Sequence, residues 1–272
     1  MGGRFFASIE CEVDALSLMK FITDSQIWKS IFRHKYPDNS RDQALAVLSN
    51  VFLHLHPIKV RKSGVRMSFT WCMGGLTFFL FLVETITGVL LMFYYRPVVE
   101  YAYNDIKALR DHVPIGIMRE LHRWGAHLMV ITVWLHMLRV FLTGSYKPPR
   151  EFNWNVGVIL LVLTLLLSFT GYLLPWDQLA IWAITVGTNM ARATPLMGHE
   201  GPGAAFIQLG DVSLVTAGSD VRFGLLGSKT VGAATLLRFY VLHCIAVPLG
   251  AGLLIAVHFW RVRKDGGISG PM

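Results

Sequence analysis

The sequence predicts an all-α membrane protein: a bundle of four transmembrane helices, with an amphipathic surface helix ahead of it. Three observations carry that prediction. Of 272 residues, 53% are apolar and only 15% charged, which is far from the balance of a soluble domain. The apolar residues gather in four runs, each long enough to cross a hydrocarbon layer of about 30 Å. Two of those runs carry a histidine near each end. The mean hydropathy of +0.48 agrees. The net charge of +8 does not point to nucleic acid, because the basic residues stand beside the apolar runs. That is where cytoplasmic loops of membrane proteins place them.

Residues 1–66 read as a polar extension and surface helix, and 67–272 as the bundle. No secretory signal is expected, since residues 1–30 contain acidic groups and lack an uninterrupted apolar stretch. From Gln43 to Leu55 apolar residues recur at helical spacing, which suits a helix lying on the membrane. His54 and His56 flank Leu55 and read as headgroup-level side chains. Lys59, Arg61, Lys62 and Arg66 then precede the first span, 67–95. There Gly74, Gly75 and Gly88 clear one flank, for a neighbouring helix or for a flat cofactor. Glu84 is an intramembrane carboxylate, costly to bury and hence a functional candidate.

A polar connector, 96–118, leads to the second span, 119–141. A short basic loop with Lys147 and Arg150 follows. The third span, 155–175, is the most apolar, has no histidine and reads as a packing helix. The connector 176–232 opens with WDQLAIWAITV, a tryptophan-rich interfacial helix, and continues as a Gly-rich surface insertion at about 197–228. The fourth span, 233–262, contains Pro248, which is expected to kink it. Four spans put both termini on one side. The basic clusters at 59–66, 147–150 and 261–264 fall on that side, which is therefore read as cytoplasmic. Cys11, Cys72 and Cys244 are far apart and form no CxxC, so neither a zinc site nor a CxxCH haem motif is present. No disulfide is expected, as two of the three lie in apolar segments.

The histidines carry the chemistry. His122 and His136 are 14 residues apart in the second span, and His243 and His258 are 15 apart in the fourth. At about 100° per residue, 14 steps return to within about 40° of the same face and 15 to within about 60°. The members of each couple lie about 21 to 22 Å apart along the axis. If these two helices are neighbours, the four rings form two facing pairs near opposite membrane edges. Two bis-imidazole haem sites would use that geometry. His122 and His243 fall toward the outer side, His136 and His258 toward the inner. His127 lies five residues from His122, about 140° around the helix, and is not expected to be a ligand. Haem propionates need cations. Arg119, Arg123 and Arg238 are candidates at one edge, Arg139, Arg263 and Lys264 at the other, with Arg119 and Arg238 best placed.

The stretches CMGGLTFFLFLVETITG, FYYRPVV, LHRW, HMLRVFLTGSYKPPREFNW, TGYLLPWDQLAIWA, LLRFYVLH and RKDGGISGPM are specific. Together they resemble cytochrome b, and most closely the b6 type, the short N-terminal half of a split cytochrome b. The resemblance covers nearly everything from 60 to 272. The 15-residue spacing also looks like the b6 type, since mitochondrial-type chains have one residue fewer there.

The resemblance implies two b haems, ligated by His122 and His243 on the outer, quinol-oxidising side and by His136 and His258 on the inner side. It implies a third, c-type haem joined to Cys72 by a single thioether. It makes Gly171, Tyr172, Pro175 and Trp176 one wall of a quinol-oxidation site. The other wall, with a Pro-Glu-Trp-Tyr-like signature absent here, belongs to a separate subunit equivalent to the C-terminal half. A Rieske iron–sulfur protein and a cytochrome c subunit are further implied partners, in a dimeric complex that couples electron transfer to proton movement.

Three departures point away from a chloroplast and toward a bacterial inner membrane. They are the N-terminal extension, the insertion at about 197–228, and Glu84, which stands where the family has an uncharged amide. Two other readings compete. A dihaem membrane anchor of a dehydrogenase or hydrogenase is argued against by the PWDQ connector and the ISGP tail. A transporter or haem-handling protein would use the histidines only transiently.

Overall fold

The computed structural model describes residues 20–26 apart from 22, 38–49, 62, 71–112 and 114–267. It divides into two units, 1–58 and 59–272. In the first, α1 spans Ser40–Ser49. Asn39 caps it, its Oδ1 accepting from the Asp42 N–H at 2.9 Å. The expected surface helix overlaps α1, and its end, with His54 and His56, lies outside the described residues.

Among the described residues, the second unit contains four helices long and apolar enough to cross a membrane. They are α2 (Met73–Met92), α4 (Ile115–Leu142), α5 (Glu151–Tyr172) and the continuous span Ala233–Asp265. Shorter helices α3 (Val99–Asp111) and α6 (Gln178–Ala191) lie between spans. The long connector adds a two-stranded hairpin, β1 (Gln208–Leu209) against β2 (Val212–Ser213), and α7 (Val221–Leu226). The last span consists of α8 (Ala233–Val241), a π-helical turn at Leu242–Ala246, and α9 (Val247–Asp265).

The spans pack as two couples, α2 along α4 and α5 along α9. A hydrogen bond of 3.0 Å between the Thr77 and Thr132 hydroxyls ties the first couple, a polar link of the kind that joins helices in an apolar solvent. The outward faces keep large apolar side chains exposed, among them Phe79, Ile86, Leu128 and Val162, as lipid contact requires. Pro248 does not break the last span. Its missing N–H falls just after the π turn, where the Val247 N–H reaches back to the Leu242 carbonyl.

At the end of the bundle nearest His122 and His243, three sequence motifs converge. Tyr95 of FYYRPVV donates to the Leu174 carbonyl of TGYLLPWDQ at 2.7 Å and stacks on Tyr240 of LLRFYVLH, with ring centroids 5.9 Å apart. Burial pushes the Tyr95 phenol above its ordinary range, so it remains a donor. Arg96 gives Asp105 three hydrogen bonds, two from the guanidinium and one from the backbone. These hold the Asp105 carboxyl below the usual carboxylate range, the guanidinium bond contributing most.

The long connector is ordered by helix caps and ion pairs. Asp177 caps α6 through the Ala180 N–H at 2.8 Å, and Asp220 caps α7 through the Phe223 N–H at 2.8 Å. The buried Asp220 also holds His199, whose other nitrogen lies 3.2 Å from Arg192. Arg192 in turn pairs with Glu200 at 2.7 Å. Leu226 of α7 enters a buried cluster with Leu173, Ala180, Ile184 and Phe239.

Burial works to raise the Asp220 carboxyl, but the Phe223 N–H and His199 outweigh it, and the group sits below its ordinary value. Asp105 and Asp220 therefore add stability at neutral pH that is lost as pH falls through their lowered values. Limited proteolysis of the 196–220 segment in membranes is expected to accelerate only below about pH 4. The Asp220→Asn protein should already be cut faster at neutral pH. Equal cutting of variant and parent would remove this role from Asp220.

Candidate cofactor site between the histidine pairs

α4 and the last span bring the four histidines together as two facing pairs. The rings of His122 and His243 have centroids 6.1 Å apart, and those of His136 and His258 6.4 Å apart. Two metal–nitrogen bonds of about 2 Å each, in line, separate two ligand rings by about 6 Å between centroids. The ring planes stand at 79° and 81° to each other. The spacing of 15 in the last span works because His243 lies inside the π turn. The wider turn absorbs one residue, so His258 comes round nearer to the face that a 14-residue spacing would give.

The couples α2–α4 and α5–α9 back each ring with a glycine. A Cβ on Gly88 would lie 3.2 Å from His122 Cε1, and one on Gly74 3.0 Å from His136 Cε1. On the other couple, a Cβ on Gly171 would lie 2.6 Å from His243 Cε1, and one on Gly157 3.9 Å from His258 Cε1. Gly74 and Gly88 are 14 residues apart, as are Gly157 and Gly171, so each helix supplies one gap at each depth.

The ring nitrogens of the His122–His243 pair are assigned by their partners. His243 Nδ1 lies 3.0 Å from the Leu167 carbonyl, which can only accept. His122 Nδ1 lies 2.9 Å from the Thr87 hydroxyl, which already donates to the Val83 carbonyl at 2.7 Å, and 3.1 Å from Glu84 Oε2. In both rings Nδ1 therefore carries the hydrogen, and Nε2 keeps its lone pair for a metal. The Thr170 hydroxyl, 3.3 Å from His243 Nδ1, completes a symmetry. A Thr-Gly dipeptide, 87–88 on α2 and 170–171 on α5, serves one ring of this pair from each side.

The other expected site residues are placed as follows. A Cβ on Gly75 would meet nothing within 4 Å, so this glycine does not share the approach of Gly74. Cys72 is exposed immediately before α2, two residues from the glycine that backs His136. It and Trp71 have φ of 50° and 53°, a left-handed reversal at the helix entry. Arg119 and Arg123 both engage Glu120, Arg119 at 2.7 Å and Arg123 through Nε at 2.9 Å. Arg238 bonds the Gly224 carbonyl and fills the space beside Gly227, so it fastens α7 to the last span. Arg139 lies over the Trp71 ring at 5.4 Å, and Arg263 sits in the last turn of α9. Tyr172 is exposed, and Trp176 packs against both buried clusters with φ of 52°. His127 packs beside Trp124 instead of entering either pair.

Sequence reasoning missed Gly157, Thr87 and Thr170. The equal 14-residue glycine spacing on α2 and α5, and the repeated Thr-Gly, were the available signals. They turn the third span from a packing helix into the fourth wall of the site.

Residues 58–201 match the family model described as cytochrome b/b6/petB. This chain belongs to the cytochrome b/b6 family. It is 41% identical over 206 residues to the menaquinol:cytochrome c reductase cytochrome b subunit of Bacillus subtilis, covering 75% of this chain and 83% of the relative. It is 41% identical over 203 residues to cytochrome b6 of Euglena gracilis, covering 74% and 85%. A solved hyperthermophilic respiratory complex III has the same fold, with a TM-score of 0.66 at 24% identity over 93% of this chain. The cytochrome b/b6-family chain spans 56% of that longer one.

Proposed function

We propose that this chain is the electron-carrying cytochrome b subunit of a quinol-oxidising membrane complex. One b-type haem is held by His122 and His243, a second by His136 and His258. The observation that carries this is the pair of facing imidazole couples at two depths, each backed by glycines. The donor set fits the group. Among the described residues no group of three or more His, Cys, Asp or Glu could hold a bare ion. Two opposed imidazoles suit an iron whose remaining ligands come from a planar macrocycle.

When bound, the haems supply one-electron carriers at two depths, so that an electron taken from quinol on the outer side can reach a quinone or a third haem on the inner side. The chain's own residues bind and orient. The Nδ1 partners fix the rings of His122 and His243, and Gly74, Gly88 and Gly171 leave the space that the rings of His136, His122 and His243 occupy. The apolar outward faces of the spans keep water away.

Cys72 is assigned the covalent c-type haem on the inner side, supported by its exposure beside the His136 end of α2. Gly171, Tyr172, Pro175 and Trp176 form one wall of the quinol site. Partner subunits supply the other wall, the Rieske centre and a cytochrome c, in a dimeric complex of a bacterial inner membrane. The name of the Bacillus relative supports a quinol donor and a cytochrome c acceptor. Both termini face the cytoplasm. Arg150 donating to the Gly267 carbonyl at 2.6 Å supports this, since it joins the basic loop after α4 to the basic end of α9.

Reduced-minus-oxidised spectra of membranes should show two b components with separate midpoints. A single component, or none, would defeat the proposal. A haem-stained denaturing gel should show a band at 30.5 kDa that disappears in Cys72→Ala. No stain in the parent protein would remove the covalent group and leave the two b sites standing.

A further inference from the structure

Glu84 is placed for a role that the two histidine pairs do not by themselves require. It lies on α2 one turn before Gly88, inside a span, with its side chain 14% exposed. Its Oε2 is 3.1 Å from His122 Nδ1. The other oxygen, Oε1, is buried without a hydrogen bond among the described residues. That oxygen rests on Gly125 of α4, where a Cβ would overlap it. Gly125 is thus a notch that admits the carboxylate to the ring of His122, three residues away.

Three of the four rings, those of His243, His258 and His122, differ in what holds them. His243 Nδ1 donates to a backbone carbonyl, with a hydroxyl nearby. His258 Nδ1 is buried and makes no hydrogen bond of normal geometry with the described residues. His122 has both a hydroxyl and a carboxylate. A carboxylate is the strongest of these acceptors, and burying it in a span is costly. An acceptor at the far nitrogen of a ligand imidazole makes the metal-binding nitrogen more basic and fixes the ring.

We propose that Glu84 is a positioning residue that acts through His122, setting the ring of that ligand and lowering the midpoint potential of the haem between His122 and His243. The inference rests on the reading of the pairs as haem ligands. A more basic ligand favours oxidised over reduced iron, so replacing the carboxylate with a weaker acceptor raises the potential.

Potentiometry of membranes, with the two b components resolved, tests it in Glu84→Gln and Gly125→Ala. Gln keeps the shape and an acceptor oxygen. Gly125→Ala leaves the carboxylate chemically intact and displaces it. Both are expected to raise one component by about tenfold in its oxidised-to-reduced preference, or about 59 mV for one electron. The other component, from His136 and His258, stays put and serves as the internal reference. Two components with unchanged midpoints in both variants overturn the role of Glu84, as does an equal shift of both components, which marks general loosening. Loss of two components already in the parent protein defeats the haem reading instead, so the two failures are distinguishable.

Discussion

Replacing His243 with alanine is expected to delete one b component from the membrane spectrum and leave the other. Noncovalently bound haem should fall from two to one per chain, and quinol-driven reduction of a cytochrome c by the assembled complex should stop. The pairs sit at opposite ends of α4 and the last span, so removing one ring leaves the other pair's backing glycines in place. His258→Ala should delete the other component. Alanine keeps helix propensity and removes the imidazole, so the spans themselves are expected to insert. A milder companion is Thr170→Val, which is nearly isosteric and takes away a hydroxyl 3.3 Å from His243 Nδ1. Losing such an outer partner costs about 10–100-fold in metal affinity. The Leu167 carbonyl still holds the ring, so the lower end is expected. Retention of both components at full strength in His243→Ala would refute the assignment of that ligand.

The bundle was legible because its signals are large and periodic. Runs of apolar residues announce spans, and histidines 14 and 15 apart announce two depths. What was not legible was anything that departs from regular helix. The fourth span's 15-residue spacing implied a ring turned about 60° from its partner's face on ideal geometry. The π turn around His243 brings the spacing nearer to that of 14 residues, and a one-residue widening leaves no mark in hydropathy.

The span ends moved for similar local reasons. Among the described residues the first span's helix begins at Met73, after a left-handed reversal at Trp71 and Cys72, and 67–70 lie outside the described residues. α5 begins at Glu151, earlier than the apolar run suggests, since its first turn carries Glu151 and Asn153. The arginines show the limit of counting positions. Arg119 and Arg123 flank His122 in sequence, yet both guanidinium groups turn to Glu120, a partner that the spacing argument did not weigh. In the long connector beyond its tryptophan-rich helix, composition suggested only a Gly-rich surface. Its order comes from side chains bonding to backbone at Asp220 and Thr235, which no periodicity reports.

The four backing glycines should not be equally sensitive to alanine, and the order follows from distance. At Gly171 a Cβ would lie 2.6 Å from Cε1, 3.0 Å from Nδ1 and 3.2 Å from Nε2 of His243, so the whole ring must move. That ring is also tied at Nδ1 to the Leu167 carbonyl at 3.0 Å, which leaves it little freedom. Gly74, at 3.0 Å from His136, and Gly88, at 3.2 Å from His122, demand smaller displacements. At Gly157 the nearest atom is 3.9 Å away, an ordinary contact. Overpacking a close-fitted site costs about 1–3 kcal/mol. Gly171→Ala should therefore lose its b component or shift it strongly, with Gly74→Ala and Gly88→Ala intermediate. Gly157→Ala should keep haem content and both midpoints near those of the parent. Haem-to-protein ratios and potentiometry on the four variants give the order directly. If Gly157→Ala proves as damaging as Gly171→Ala, the glycines are needed for something other than clearance of the rings.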